Sequence, residues 1–149
     1  MNDVATPRGG MRWNALVPEL MVSDFDTSLR FYVDVLGFAV CYSRDDPLFA
    51  YLEREGAQLM LEQYRDDGWL TAPLHAPFGR GMNLQIECSD ATTLRDRVVA
   101  AGGRMFLDLE DAWYAAGDVE VGQRQCIVVD PDGYLLRFAE DLGERSPAG

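Results

Sequence analysis

The chain has 149 residues, the length of one ordinary domain or of two half-size modules sharing a core. Hydrophobic residues make up 48%, enough for a real core, yet no apolar run approaches the roughly 20 residues of a membrane span. Asp and Glu number 25 against 13 basic residues, all Arg, for a formal net charge of −12. That balance speaks against nucleic acid as a partner and suits either a cationic ligand or plain solubility.

Residues 1–13 read as a flexible arm, polar and Gly/Pro-containing over Met1 to Gly10, with no apolar stretch of a secretion signal. Leu16 to Val22 reads as a first strand. Ser23, Asp24 and Asp26 offer N-caps for a helix whose Leu29, Tyr32, Val33 and Leu36 form an i, i+3, i+4, i+7 stripe, and Gly37 suits its C-terminal turn. Strand candidates follow at Phe38 to Ser43, Phe49 to Arg54 and Gln58 to Tyr64, the last two joined by a Glu55-Gly56 turn. This is a βαβββ module, 14–64. A linker over 65–81 holds Gly68, Pro73, Pro77, Gly79 and Gly81.

The second module, 82–142, begins with a strand over Met82 to Glu87 and a helix carrying Leu94, Val98 and Ala101, stopped by Gly102-Gly103. Arg104 to Leu109 is the next strand. Asp111 to Gly122 reads as a long loop, and Gln125 to Val129 with Tyr134 to Ala139 as a hairpin turned by Asp130-Pro131-Asp132-Gly133. The tail after Glu140 is polar and is expected to fray. The two modules repeat one pattern: Asp90 lies 66 residues after Asp24, and Gly103 lies 66 after Gly37. A repeat of that length is a folding module used twice. The three cysteines, Cys41, Cys88 and Cys126, are odd in number and sit in apolar runs, so they read as small buried hydrophobes in a reducing compartment. Cytoplasmic localisation is the expectation.

Asp24-Phe25-Asp26, Phe31-Tyr32, Leu36-Gly37-Phe38 and Asp130-Pro131-Asp132-Gly133-Tyr134 resemble the vicinal oxygen chelate superfamily, from about Leu16 to Leu142. That superfamily includes glyoxalase I, extradiol dioxygenases, fosfomycin-resistance transferases and bleomycin-resistance proteins. The resemblance implies an α+β fold in which paired βαβββ modules form a cupped mixed sheet within a single domain, 14–142, commonly as a homodimer. It places the metal-ligand positions of the family's enzymes at Val17, Asn83 and Arg137, with Glu62 as a loose match for another. Val17 cannot coordinate, Asn83 is a poor ligand and Arg137 is itself a cation, while the only histidine, His75, lies in the linker. The expectation is therefore no metal, no cofactor and no catalytic residue.

Without a metal, Val17-Pro18-Glu19-Leu20 and Arg124 look like the bleomycin-resistance subgroup, acidic dimers that sequester a cationic antibiotic with a planar tail. Phe38 matches an aromatic of that family and Tyr42 lies near another groove position. The stretches corresponding to the groove tryptophans read Asn83-Leu84-Gln85 and Glu120-Val121-Gly122, and Trp69, Trp113 and Tyr114 stand as replacements from loops. The candidate ligand-binding residues are thus Phe38, Tyr42, Glu62, Trp69, Asn83, Gln85, Trp113, Tyr114 and Arg124. Several have a plainer reading: Phe38 and Tyr42 as core, Glu62 as the ionic partner of Arg137, the tryptophans as partner-subunit contacts. The function expected is sequestration of a cationic or aromatic small molecule in a dimer cleft. The alternatives are a metal-dependent lyase or dioxygenase with a ligand set built on Glu62, and a binding or regulatory module for an unrelated metabolite.

Overall fold

The computed structural model describes residues 12–148, and the chain divides into two compact units between His75 and Ala76. In the first unit, β1 (Glu19–Val22) leads to α1 (Phe25–Arg30), which widens into a π-helical turn over Phe31–Val35; β2 (Ala39–Asp45), β3 (Leu48–Arg54) and β4 (Ala57–Gln63) follow. The second has β5 (Asn83–Glu87), α2 (Ala91–Ala100), β6 (Arg104–Ala116), β7 (Val119–Val129) and β8 (Leu135–Arg145). Each unit folds into a four-stranded mixed sheet, in the orders β1-β4-β3-β2 and β5-β8-β7-β6. The first strand of each unit pairs parallel with the last, and the remaining pairs are antiparallel. The α+β fold and its internal repeat are as the sequence implies.

The repeat persists in local chemistry. Asp24, in extended conformation, accepts a hydrogen bond from Thr27 N at 3.0 Å, and Asp90 accepts one from Thr93 N at 2.9 Å. Each satisfies a backbone donor that a helix N-terminus leaves open. Gly37 (φ 84°) and Gly102 (φ 75°) then supply the left-handed residue after each helix. Glu55 (φ 49°) and Gly56 (φ 89°) make the tight β3–β4 turn, with Gly56 N donating to Glu53 Oε1.

Strand alternation sends one face of each sheet to its helix. In the first unit Leu20, Val22, Leu52 and Leu61 meet Phe25, Tyr32 and Leu36; in the second Cys126, Val128, Leu136 and Phe138 meet Ala91, Leu94 and Val98. All of these are buried, at about 1.5–3 kcal/mol for each large apolar side chain. Burial raises the Cys126 thiol to about 11, as a core-filling cysteine requires.

Two expectations are overturned. Residues 111–122 are not a loop: β6 continues through Trp113 and Tyr114 to Ala116, turns at Gly117-Asp118, and returns as β7. Gly117, at φ 67°, takes a left-handed turn position that favours glycine, and its neighbours hydrogen-bond across the hairpin. Nor does the chain fray after Glu140. β8 runs on to Arg145, whose Nε reaches Glu120 at 2.6 Å across the sheet. Of the expected arm, residues 1–11 lie outside the described residues, whereas Arg12 and Trp13 are tied down. Gln58 Nε2 donates to Arg12 O at 2.6 Å, and Gln58 Oε1 accepts from Asn14 N at 2.9 Å.

Candidate functional site

In both units the sheet face away from the helix carries the chemistry. Once Leu20 and Val22 are core, alternation and register put Glu19, Met21, Met60, Glu62, Phe49, Tyr51, Tyr42 and Arg44 on the other side of the first sheet. Tyr42 stacks on Tyr51 with centroids 5.3 Å apart, and Trp13 meets Tyr51 edge-on at 4.7 Å and Tyr42 at 5.8 Å. The Arg44 guanidinium lies 4.5 Å from the Phe49 ring centre. Buried Gln58 accepts from the Tyr51 hydroxyl, fixing that ring. Partial burial raises the Glu19 carboxyl above its ordinary range, the Glu62 charge raises it further, and Arg44 opposes both. This face therefore combines aromatic rings with a carboxylate whose charge is already disfavoured, which an incoming cation would relieve.

The corresponding face of the second sheet holds Asn83, Gln85 and Glu87 on β5, Arg137, Ala139 and Asp141 on β8, Gln123 and Gln125 on β7, and Glu110 and Tyr114 on β6. An open pocket of about 200 Å³ lies here, walled by Gln85, Glu87, Val121, Gln123, Ala139 and Asp141. Beside it buried Gln125 donates from Nε2 to Glu110 Oε1 at 3.0 Å and to Tyr114 OH at 2.6 Å. Gln123 Oε1, Gln125 Oε1 and Arg137 Nε are buried without a hydrogen-bond partner among the described residues.

The sequence-derived candidates separate on this geometry. Tyr42 and Glu62 fall on the open face of the first sheet, and Asn83, Gln85 and Tyr114 on that of the second. Phe38 is 2% exposed and packs against Tyr32 in the core. Trp69 is 94% exposed in the segment between the units' strands. Trp113 is on the α2 side of the hairpin: its ring lies flat on Gly122, where a Cβ would come within 2.6 Å, and under the Arg145 guanidinium at 4.1 Å. Arg124 shares that side with Cys126 and Val128, and grips Asp111 through Nε at 2.8 Å and Nη2 at 3.2 Å. The pairing holds the Asp111 carboxyl below its ordinary range and raises Arg124. Glu62 lies on β4 of the first unit and Arg137 on β8 of the second. Sequence reasoning passed over Trp13, Glu19, Phe49 and Tyr51 in the first unit and Glu87, Gln123 and Asp141 in the second. The signal for all of them but Trp13, which precedes β1, was the strand alternation itself, read on the face opposite the core.

The enzymes of the family that the sequence resembles use a divalent metal, so the donor set must be tested against one. Val17 precedes β1 with an aliphatic side chain, Asn83 offers a neutral amide, and Arg137 brings a guanidinium. Among the described residues no three His, Cys, Asp or Glu side chains group closely enough to hold a metal ion. An aliphatic, an amide and a fixed cation do not make the three-donor set of a catalytic divalent metal. The residues do not fit the group, and no chemical step is derived through it. No described helix is long and apolar enough to cross a membrane.

Comparison with known proteins follows the same lines. A bleomycin resistance protein of Geobacillus stearothermophilus is 26% identical over 85% of this chain and 96% of its own length. A lactoylglutathione lyase of Haemophilus influenzae is 28% identical over 87% of this chain and 94% of its own. A solved structure from Agrobacterium tumefaciens str. C58, a protein of unknown function, superposes with a TM-score of 0.66 at 24% identity, covering 88% of this chain and 96% of its own. The family model described as the Glyoxalase/Bleomycin resistance protein/Dioxygenase superfamily matches residues 14–138, and the chain belongs to that superfamily.

Proposed function

We propose that the protein is a binding member of the superfamily, one that sequesters a cationic small molecule with a planar aromatic part and breaks no bond in it. The observation that carries this reading is the side-chain chemistry of the two open faces. Aromatic rings and carboxylates stand on them, and the positions matched to metal ligands hold Val17, Asn83 and Arg137. Stacking and cation–π contacts contribute about 0.5–2 kcal/mol each, so several are needed for micromolar affinity. The net charge of −12 adds long-range attraction for such a ligand. The bleomycin-resistance relatives, matched over nearly their whole length, support the same reading and make bleomycin the first ligand to try.

On this reading the ligand contacts offered by the first unit are Tyr42, Glu62, Trp13 and Tyr51, and those offered by the second, taken by itself, are Asn83, Gln85, Tyr114 and Glu87. Phe38, Trp113 and Arg124 hold the framework. We place the protein in the cytoplasm, on its three free thiols, and as a homodimer, on the resemblance alone. Titration with bleomycin, followed by tryptophan fluorescence, is expected to give a saturable quench at micromolar ligand, and expression is expected to protect a sensitive strain. Absence of both rejects bleomycin as the ligand.

A second reading, a lyase, is favoured by the Haemophilus relative. Formation of lactoylglutathione by the purified protein, with a stoichiometric divalent metal lost on Glu62→Ala, would establish it in place of the first.

A further inference from the structure

We infer that the pocket on the second unit is a subsite for a guanidinium or amidinium group, so that the ligand carries a forked N–H donor rather than a quaternary ammonium or a neutral amide. The inference rests on the binding reading above and deepens it. Its volume, about 200 Å³, is below the roughly 300–1,000 Å³ of pockets that enclose a whole drug-sized ligand, so it receives one group of a larger molecule.

The walls decide which group. Two carboxylates line the pocket, Glu87 from β5 and Asp141 from β8, and neither forms an ion pair among the described residues. One Asp141 oxygen accepts Gly143 N at 2.8 Å and the other remains open. Two acceptors are also left over. Gln123 Oε1 is buried in the pocket wall without a partner. Gln125, 2% exposed and registered with pocket-lining Ala139, spends its amide N–H groups on Glu110 and Tyr114 and leaves Oε1 unpaired. No basic residue is among those lining the pocket; Arg137, registered with Gln85, stands on the same face with its Nε unpaired.

A buried acceptor with no donor costs about 1–3 kcal/mol; one such acceptor in the pocket wall and one next to it, with two exposed carboxylates that have no ionic partner, suit N–H donors carrying positive charge. A quaternary ammonium supplies charge without N–H, and a urea supplies N–H without charge. A guanidinium or amidinium supplies both in one plane, matched to a carboxylate in bidentate fashion. Val121 and Ala139 add apolar lining against which a planar cation can lie.

The test uses the whole chain and three small probes: phenylguanidinium, phenylurea and phenyltrimethylammonium. ¹H–¹⁵N spectra are expected to show saturable shifts for the Gln123 and Gln125 side-chain amides with phenylguanidinium. Binding of the other two probes is expected at least tenfold weaker. Glu87→Gln combined with Asp141→Asn keeps side-chain shape and the Asp141 acceptor, and is expected to weaken phenylguanidinium at least tenfold. Equal binding of the three probes, shifts that map to Tyr42 and Tyr51 instead, or no loss in the double variant overturns the inference. A bleomycin titration of the same proteins separates the two proposals. Tight bleomycin binding untouched by the double variant leaves the binding reading standing and the subsite refuted. Phenylguanidinium binding without bleomycin binding does the reverse for bleomycin.

Discussion

In the first unit the open sheet face is filled by rings, with Trp13, Tyr42, Tyr51 and Phe49 packed on one another and Arg44 laid over them. In the second unit the corresponding face has almost no aromatic surface. It carries amides and carboxylates around a pocket, with Tyr114 at its margin. The two units share strand order and helix caps, so most of the difference comes from the alternate strand positions, with Trp13 ahead of β1 adding to the first face. Half of the residues in each strand are committed to the core, and the other half are free to carry function. Aromatic surface is thus concentrated on the first unit's open face, beside Glu19, Glu62 and Arg44, and amides with carboxylates on the second's.

The comparison breaks first in the cores, where the account says the units are alike. Leu36→Ala and Leu136→Ala each remove a fully buried side chain, and each is expected to cost about 2–5 kcal/mol in urea unfolding. A loss confined to one unit would show that only that unit governs global stability. The long hairpin, by contrast, belongs to the second unit alone. Gly122→Ala drives a methyl into the Trp113 ring, and is expected to cost about 1–3 kcal/mol while shifting tryptophan emission as the ring leaves Arg145. The smallest effect sharpens the likeness again. Backbone N–H donation from Thr27 and Thr93 holds the Asp24 and Asp90 carboxyls below their ordinary range. A carboxyl lowered by folding stabilises fully above its unfolded pKa, and the stabilisation fades as pH falls through the folded value. Asp24→Asn and Asp90→Asn retain a cap that does not titrate, so each is expected to flatten the acid limb of stability against pH, and by similar amounts.

What the sequence made legible was whatever depends on near neighbours. The Asp caps, the glycines after each helix and the Glu55-Gly56 and Asp130-Gly133 turns are local signals, and all lie where expected. The β6–β7 hairpin was hidden because its distal part lacks a clean alternation of apolar and polar residues. Asp111, Asp118 and Glu120 read as loop, whereas the backbone ladder from Glu110–Gln125 to Ala116–Val119, with the Arg124–Asp111 and Arg145–Glu120 pairs, holds the strands in the sheet. The same long-range pairing explains Trp113, an aromatic in an apparent polar loop whose ring is taken by Gly122 and Arg145. Trp13 was lost to the arm for the opposite reason: its partners, Tyr42, Tyr51 and Gln58, are far along the chain. The pocket residues Glu87 and Asp141 carry no motif at all. They become visible only when β5 and β8 are set side by side.

The central claim is that this member of the superfamily holds a molecule and does not depend on a metal to do so. Isothermal titration of bleomycin into protein dialysed against EDTA tests it most directly. The account predicts saturable heat with micromolar or tighter affinity, unchanged when divalent metal is restored. Heat that appears only after the metal is returned would contradict it, and none in either state would remove bleomycin as the ligand.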